Sequence, residues 1–200
     1  MNAVTAVGNG SGTIITGNDL NTSGVNAIRF IGISVLGFDG ITISNNQIGN
    51  FSGTDAEIDR GIILQSGVSN ATVSGNTISD LNYSGTSTSG SIYGIQVNTG
   101  VATGNIIISE NTIQNLSSTG TSTTIGNALS GIYVSGASGG VIIARNKLSN
   151  IRNTHATGYS AFGIHLNSSV AASGIVVANN FIADVSASGN ATVARNGYGM

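Results

Sequence analysis

The sequence predicts an all-β protein in which five to six coils of parallel strands stack into a solenoid, the architecture called a parallel β-helix. Two observations lead to this fold class. A phrase centred on asparagine recurs through the chain of 200 residues, and a second phrase that begins Gly-Ile precedes most of its copies. Such repetition is typical of a solenoid, in which each unit buries its apolar face only against its neighbours.

The asparagine phrase has the pattern apolar-x-apolar-x-x-Asn-x-apolar-x-x-apolar, and its clearest copy is VIIARNKLSNI at 141–151. Other complete copies begin at Ile41, Ala71, Ile106 and Ile175, and a degenerate copy begins at Thr13. The central asparagines, at spacings of 28, 30, 35, 35 and 34, are Asn18, Asn46, Asn76, Asn111, Asn146 and Asn180. Because an amide both donates and accepts hydrogen bonds, we expect these side chains to stack at ~4.8 Å as a ladder along the axis.

Residues around each asparagine align in further columns. Three positions before it, the column is β-branched throughout, as expected for a buried strand: Ile15, Ile43, Val73, Ile108, Ile143 and Val177. Four positions after it, a polar column predicts a second bend near solvent: Asn50, Asp80, Asn115, Asn150 and Asp184.

The Gly-Ile phrase predicts another strand in each repeat. Its copies are GIIL (61–64), GIQV (94–97), GIYV (131–134) and GIHL (163–166), and AIRF (27–30) resembles a divergent first copy. Alternation with period 2 buries the second and fourth residues of each copy and turns the third outward. The outward column is then Arg29, Ile63, Gln96, Tyr133 and His165.

A leucine-rich repeat is the alternative fold, because its consensus also places an asparagine among apolar residues. That fold needs a helical or 3₁₀ return segment and a period of about 20–29 residues. Here the return segments are rich in Gly, Ser and Thr and poor in helix-forming residues, and each unit holds a further β-branched strand. The spacing and composition therefore favour the β-helix.

Composition limits the classes of function. Apolar residues come in short alternating runs, far below the ~18 consecutive residues that span a membrane. A net charge of −2 without a basic stripe argues against nucleic-acid binding, and no residues predict a cofactor site. We expect a poorly defined segment at 1–12 without a visible signal peptide, then β-helix repeats over 13–200. The final Tyr198-Gly199-Met200 resembles the opening of another Gly-Ile strand, so the chain is expected to be a fragment of a longer array.

From about Thr13 to Met200, the sequence resembles the right-handed parallel β-helix repeat family, especially the Ser/Thr/Asn/Gly-rich arrays of exported bacterial surface proteins. The resemblance implies a secreted or cell-surface location and a stalk-like or adhesin-like role, with neighbouring coils of the full-length protein as partners. The pectate-lyase-like superfamily also contains polysaccharide-degrading enzymes and phage tailspikes. This chain lacks the NTD, DD, GHG and RIK motifs of polygalacturonase-like enzymes, and its six Lys and Arg are scattered, so no catalytic residues are assigned.

Two sets of residues suggest possible binding sites. Asp55, Glu57 and Asp59 form an acidic cluster that could supply oxygen ligands to Ca²⁺, but the spacing lacks the Gly turn and the distal Glu of an EF-hand and so favours a solvated loop. The outward face of the Gly-Ile strands offers amides beside an aromatic ring, which suits a polysaccharide or cell-surface glycan. The candidate carbohydrate-binding residues are Gln96, Asn98, Tyr133, His165 and Asn167. Carbohydrate binding, or degradation by residues in the loops or outside this fragment, is thus the alternative to the structural role.

Overall fold

The computed structural model of the chain describes residues 10–122, 124–156, 160–188 and 197–200. Across these residues the strands, numbered β1 to β21 in chain order, form three long parallel sheets, and the helices are two 3₁₀ turns at Gly24–Asn26 and Ile125–Asn127. No helix in this part of the chain is long and apolar enough to cross a membrane. The prediction of an all-β parallel solenoid is confirmed.

Each sheet takes one strand from every coil, so neighbouring strands in a sheet are far apart in sequence. Sheet 1 contains β2 (Ile14–Thr16), β6 (Thr42–Ser44), β10 (Thr72–Ser74), β13 (Ile106–Ser109), β16 (Val141–Ala144) and β19 (Val176–Ala178). Sheet 2 contains β3 (Asp19–Leu20), β7 (Gln47–Gly49), β11 (Thr77–Tyr83), β14 (Thr112–Ser118), β17 (Lys147–Asn153) and β20 (Phe181–Ala187). Sheet 3 contains β4 (Ile31–Val35), β9 (Ile58–Leu64), β12 (Ser91–Val97), β15 (Leu129–Gly136), β18 (Ala161–Ser168) and β21 (Gly197–Tyr198). The short strands β1 (Gly10–Ser11), β5 (Phe38–Asp39) and β8 (Ser52–Gly53) lie beside these sheets.

The coil count is slightly lower than expected if only well-formed coils are counted. Four coils, from β6 to β18, have a coil on either side and carry at least three residues in every sheet strand. The first and last coils are thinner, because β3 and β21 have two residues each. At the amino end, β1 pairs with β5, so 10–11 already belong to the fold, while 1–9 of the expected poorly defined segment lie outside the described residues.

Bends between the strands depend on residues with left-handed backbone. The residue before each ladder asparagine has positive φ, for example Asn45 (54°) and Glu110 (59°). The second polar column has the same conformation, with φ between 52° and 58°, at Asn50, Asp80, Asn115, Asn150 and Asp184. Asn and Asp tolerate this region better than other side chains, which explains why both alternate in that column.

The core is a column of buried apolar side chains enclosed by the three sheets. In sheet 1 the predicted β-branched column is in register, with Val73 between Ile43 and Ile108. In sheet 3, Ile62, Ile95 and Ile132 pair across neighbouring coils and are fully buried. The predicted alternation is therefore confirmed for these inward positions. The expected burial of Leu166 was wrong: its side chain is 42% exposed, because the strand of the next coil, β21, pairs only with Ala161 and Phe162.

The glycine of the Gly-Ile phrase marks a close approach between coils. A Cβ added at Gly94 would lie 2.5 Å from the carbonyl oxygen of Gly131, and a Cβ added at Gly61 would lie 2.6 Å from the carbonyl oxygen of Gly94. Gly32 belongs to this column, because its Cβ would lie 2.6 Å from the carbonyl oxygen of Gly61. The first copy of the phrase is therefore GISV at 32–35, and its assignment to AIRF at 27–30 was wrong.

Candidate functional site

The ladder asparagines form the longest polar array inside the molecule. Each side-chain amide donates to the side-chain carbonyl oxygen one coil further on, at 2.8 Å from Asn18 and 2.9 Å at the four later steps. That oxygen also accepts from the backbone N–H of the preceding asparagine at 2.9–3.0 Å. Asn46, Asn76, Asn111 and Asn146 are fully buried. The ladder therefore satisfies polar groups at a bend that has no access to water.

The outward face of sheet 3 is not the open surface that the sequence predicts. Gln96, Tyr133 and His165 are neighbours in register, and they are only 6%, 4% and 5% exposed. The prediction that Arg29 belongs to this column was also wrong, because the residue of the first coil that pairs with Ile63 is Ser34. Only Asn98 and Asn167 of the five candidate carbohydrate-binding residues are exposed.

Burial of this face results from a continuous stack of side chains, which we call the aromatic column. In order of contact it consists of Phe30, Arg60, Tyr93, Tyr133, His165, Phe162 and Tyr198, of which His165 and Phe162 both lie on β18. The Arg60 guanidinium lies 5.8 Å from the Phe30 ring centre and 5.9 Å from that of Tyr93. His165 lies between Tyr133 and Phe162, with ring centres 4.6 and 4.3 Å away. Coils only ~4.8 Å apart bring Tyr133 onto His165 and Phe162 onto Tyr198 as stacked rings, whereas Tyr93 and Tyr133 meet at a tilt of 53°. These side chains therefore cover one another.

Hydrogen bonds fix the aromatic column from both sides. Tyr93 donates its hydroxyl to the carbonyl oxygen of Gly126. Arg60 Nε donates to Gln96 Oε1 at 2.6 Å, and Asn167 Nδ2 donates to Tyr133 Oη at 3.1 Å. The column is thus a supporting structure on the outside of sheet 3, and the buried rings of Tyr93, Tyr133 and His165 are not free to bind a sugar.

Burial also changes the ionisation of the column. It lowers the pKa of His165 to about 4 and leaves Nδ1 of that ring without a hydrogen-bond partner. It raises the pKa of Tyr93 above its ordinary value, an effect that the nearby Tyr133 increases. It lowers the pKa of the Arg60 guanidinium from a very high starting value. His165 is therefore neutral at pH 7. The pKa values of His165 and Tyr93 are both shifted away from 7, which is opposite to the shift that a general acid or base requires.

The acidic cluster divides into two environments. Asp55 and Glu57 are exposed, whereas Asp59 is 4% exposed and its Oδ2 is buried without a hydrogen-bond partner. Burial raises the pKa of Asp59 to about 7 against the opposing effect of Arg60. In the described ranges, no three His, Asp or Glu side chains come together as a metal-binding group. The structure therefore does not assemble the calcium site considered from the sequence.

A polar groove runs along the outer side of sheet 2 and was not recognised from the sequence. It has a volume of about 320 Å³ and is lined by Asp80, Asn82, Asn115, Ser117, Asn150 and Arg152. Asn115 Nδ2 donates to Asp80 Oδ1 at 2.9 Å, and Asn150 Nδ2 donates to Asn115 Oδ1 at 2.8 Å. The groove thus has polar side chains at the same two positions of three successive coils.

Sequence signals for the missed residues did exist. The residue directly before each glycine of the Gly-Ile phrase belongs to one outward column: Arg60, Tyr93, Ser130, Phe162 and Tyr198. The position two residues before the glycine holds an apolar or small residue in the later coils, but it holds Asp59 in the second coil. A charge in such a column is a sign of an unusual buried group.

No related protein supports the assignment of the ladder, the aromatic column or the groove. Comparison with protein-family models, with characterised proteins and with solved structures gives no match to the chain.

Proposed function

We propose that the chain is a structural segment, a stiff stalk or adhesin-like scaffold, of an exported bacterial surface protein. The observation that carries this proposal is the unbroken ladder from Asn18 to Asn180, with a side-chain hydrogen bond at every step. Backbone hydrogen bonds of three sheets run parallel to this ladder, so all of them resist stretching along the axis together. Exposure at a cell surface is supported by the Ser/Thr/Asn/Gly-rich repeats and by the family resemblance.

Stretching single molecules along the axis tests the stalk role. A stiff scaffold should resist until a coil detaches, and each 35-residue coil should then release roughly 120 Å of extended chain. Steps of this size are expected in wild type, and Asn111→Ala should lower the force of one central step. Smooth extension at low force, without steps, would contradict the scaffold role. Protease treatment of intact cells tests the location, since a surface segment should be released without lysis.

A second candidate function is carbohydrate binding in the groove of sheet 2. Asn82, Ser117 and Arg152 are register neighbours in three successive coils, and such amide, hydroxyl and guanidinium groups suit sugar hydroxyls. Ser117 Oγ already donates to Asn82 Oδ1 at 2.7 Å, so the two side chains are positioned together. Coil spacing of ~4.8 Å is close to the length of one sugar unit, which allows a chain to lie along the axis.

A glycan array with matched variants separates the two candidates. If the groove binds glycan, the double variant Asn82→Ala/Arg152→Ala should lose the array signal, and Lys147→Ala, an exposed cation outside the groove lining, should keep it. If wild type binds nothing, the carbohydrate candidate fails and the scaffold proposal is unaffected.

A further inference from the structure

A cavity of about 210 Å³ lies between the first and second coils, at the corner where sheet 2 leads into sheet 3. Arg29 and Phe30 of the first coil form one side of it, and Gly53, Asp55, Glu57 and Asp59 of the second form the other. A water molecule occupies about 30 Å³ in the liquid, so the cavity has room for a ligand of several heavy atoms.

Asp59 occupies an inward position that other coils fill with apolar side chains. It pairs in register with Ile92, which is fully buried, and Asp59 itself is 4% exposed. Gly53 makes room for the carboxylate, because a Cβ at Gly53 would overlap Asp59 Oδ2. A leucine or isoleucine would pack here without desolvating a charge, so the core does not explain an acid at this position.

No basic side chain of the described residues forms an ion pair with this carboxylate. Arg60 follows it in the chain but faces the opposite side of β9, where its guanidinium donates to Gln96 and to the Ile58 carbonyl oxygen, both at 2.6 Å. The one ion pair formed in the described ranges is Arg145–Glu110, in later coils. Three carboxyl groups thus line the cavity with a single lining cation, Arg29.

The spacing of the acids decides which kind of cation fits. Calcium needs six to eight oxygen ligands at about 2.3–2.6 Å, and the acids of the described residues do not assemble such a group. They are nevertheless close enough for Asp55 and Glu57 to add to the raised pKa of Asp59, whose largest cause is burial. An ammonium group has three hydrogen-bond donors and contacts acceptors at about 2.8 Å. It can therefore bind carboxylates that do not lie close enough together to coordinate one metal ion.

We infer that this cavity is a binding site for a primary alkylammonium ion, with Asp59 as the buried counter-ion and Glu57 and Asp55 at the rim. The Phe30 ring lines the cavity and provides an apolar wall for the alkyl chain. The inference does not depend on the scaffold role, because it concerns one corner of the second coil. The ammonium can come from a free amine or from a lysine side chain, since both present the same group.

Titration of the ¹⁵N-labelled chain with n-butylammonium chloride, followed by NMR, tests the inference. Amide resonances of 53–60 should shift, whereas n-butanol, a neutral analogue, and CaCl₂ should leave them unchanged. Affinity should rise about ten-fold from pH 6 to pH 8, because Asp59, whose charged neighbours are Asp55, Glu57, Arg29 and Arg60, ionises over this range. Nα-acetyl-lysine amide, as a second probe, distinguishes the two sources: it should bind at least as tightly as n-butylammonium if the ligand is a lysine side chain, and more weakly if the ligand is a free amine.

Variants make the test specific. Asp59→Asn should weaken butylammonium binding at least ten-fold at pH 8 and remove its pH dependence, and Glu57→Gln, at the exposed rim, should weaken it less. Glu110→Gln removes the same charge in the exposed Arg145 pair and should bind as wild type does. Equal binding by wild type and Asp59→Asn, or equal shifts with butanol, would overturn the inference.

Discussion

The side-chain amide of Asn111 donates to the side-chain carbonyl oxygen of Asn146, 35 residues later in the chain, at 2.9 Å. The same amide donates to the backbone carbonyl oxygen of Val73, in the neighbouring coil on the opposite side, at 3.0 Å. Asn111 therefore links three successive coils through one fully buried group. Buried amides with every position satisfied specify register, because a shifted strand would leave them unpaired.

Asn111→Ala should lower the free energy of unfolding by about 2–3 kcal/mol. Substitution leaves the Asn76 amide and the Asn146 carbonyl oxygen each short of a partner in a dry site, and an unsatisfied buried polar group costs about 1–3 kcal/mol. Denaturant titration of wild type and variant measures the difference.

Two control variants separate the ladder from general effects. Asn18→Ala should cost less, because Asn18 is exposed and its side chain joins one neighbouring coil instead of two. Ser89→Ala, in an exposed loop, should stay within about 0.5 kcal/mol of wild type. Equal losses for Asn18→Ala and Asn111→Ala would show that the buried centre of the ladder has no special role.

The sequence was sufficient to predict the inward half of the structure. Identical asparagines at one position of the phrase, and β-branched residues three positions earlier, define columns such as Ile43–Val73–Ile108 that the register confirms. These predictions succeed because stacking places equivalent residues in the same environment in each coil.

The outward face could not be predicted in the same way. Alternation correctly turns Tyr133 and His165 away from the core, but it does not show how far their rings cover one another. Their burial also depends on the residue before each glycine, such as Phe162, and on the loop that carries Gly126. Contacts between different columns and loops are not contained in the periodicity of a single column.

Gly94→Ala should destabilise the fold by about 2 kcal/mol or more. Its Cβ would lie 2.5 Å from the Gly131 carbonyl oxygen and 2.7 Å from a methyl group of Ile113, so two coils would have to separate locally. Gly126→Ala is the matched control, since its Cβ would meet nothing closer than Tyr133 Oη at 3.9 Å. Thermal unfolding should show a large loss for the first variant and almost none for the second.

Tyr133→Ala should act on stability, with a loss of about 3–5 kcal/mol, because a large buried ring is removed from between Tyr93 and His165. Tyr133→Phe should cost far less, since it keeps the ring and loses one hydrogen bond with Asn167. Chemical denaturation of both variants decides this. A fully stable Tyr133→Ala would contradict the supporting role of the aromatic column.

His165 and Asp59 should give opposite dependences of stability on pH. The pKa of His165 falls from 6.5 to about 4 on folding, so its contribution is complete above pH 6.5 and is lost as pH falls towards 4. The pKa of Asp59 rises from 3.8 to about 7, so its contribution is complete below pH 3.8 and is lost as pH rises through 7. Each effect amounts to at most about 3–4 kcal/mol, and they oppose each other between pH 4 and 6.5.

Variants separate the two effects. His165→Phe retains a ring in the column and should give a free energy of unfolding that decreases from pH 4 to 7, through Asp59 alone. For Asp59→Asn, the free energy of unfolding should increase from pH 4 to 6.5, because His165 alone of the two groups then remains. Denaturant titrations at several pH values measure both slopes, and parallel profiles for the two variants would contradict this assignment.

The distance between spin labels at the two ends of sheet 1 tests the stacking of coils most directly. The chain has no cysteine, so Ile14→Cys with Val176→Cys can be labelled without background, and both sites are exposed, at 66% and 50%. Five register steps separate them through Thr42, Thr72, Ile107 and Ile142, which predicts about 24 Å between the backbone positions. The pair Ile14→Cys with Ile142→Cys should be about 5 Å closer. Electron paramagnetic resonance should give two narrow distributions with this difference. In an unfolded chain of this length, whose radius of gyration alone is roughly 40 Å, the labels would lie much further apart than about 24 Å, and broad distributions at such long distances would contradict the stacked rod.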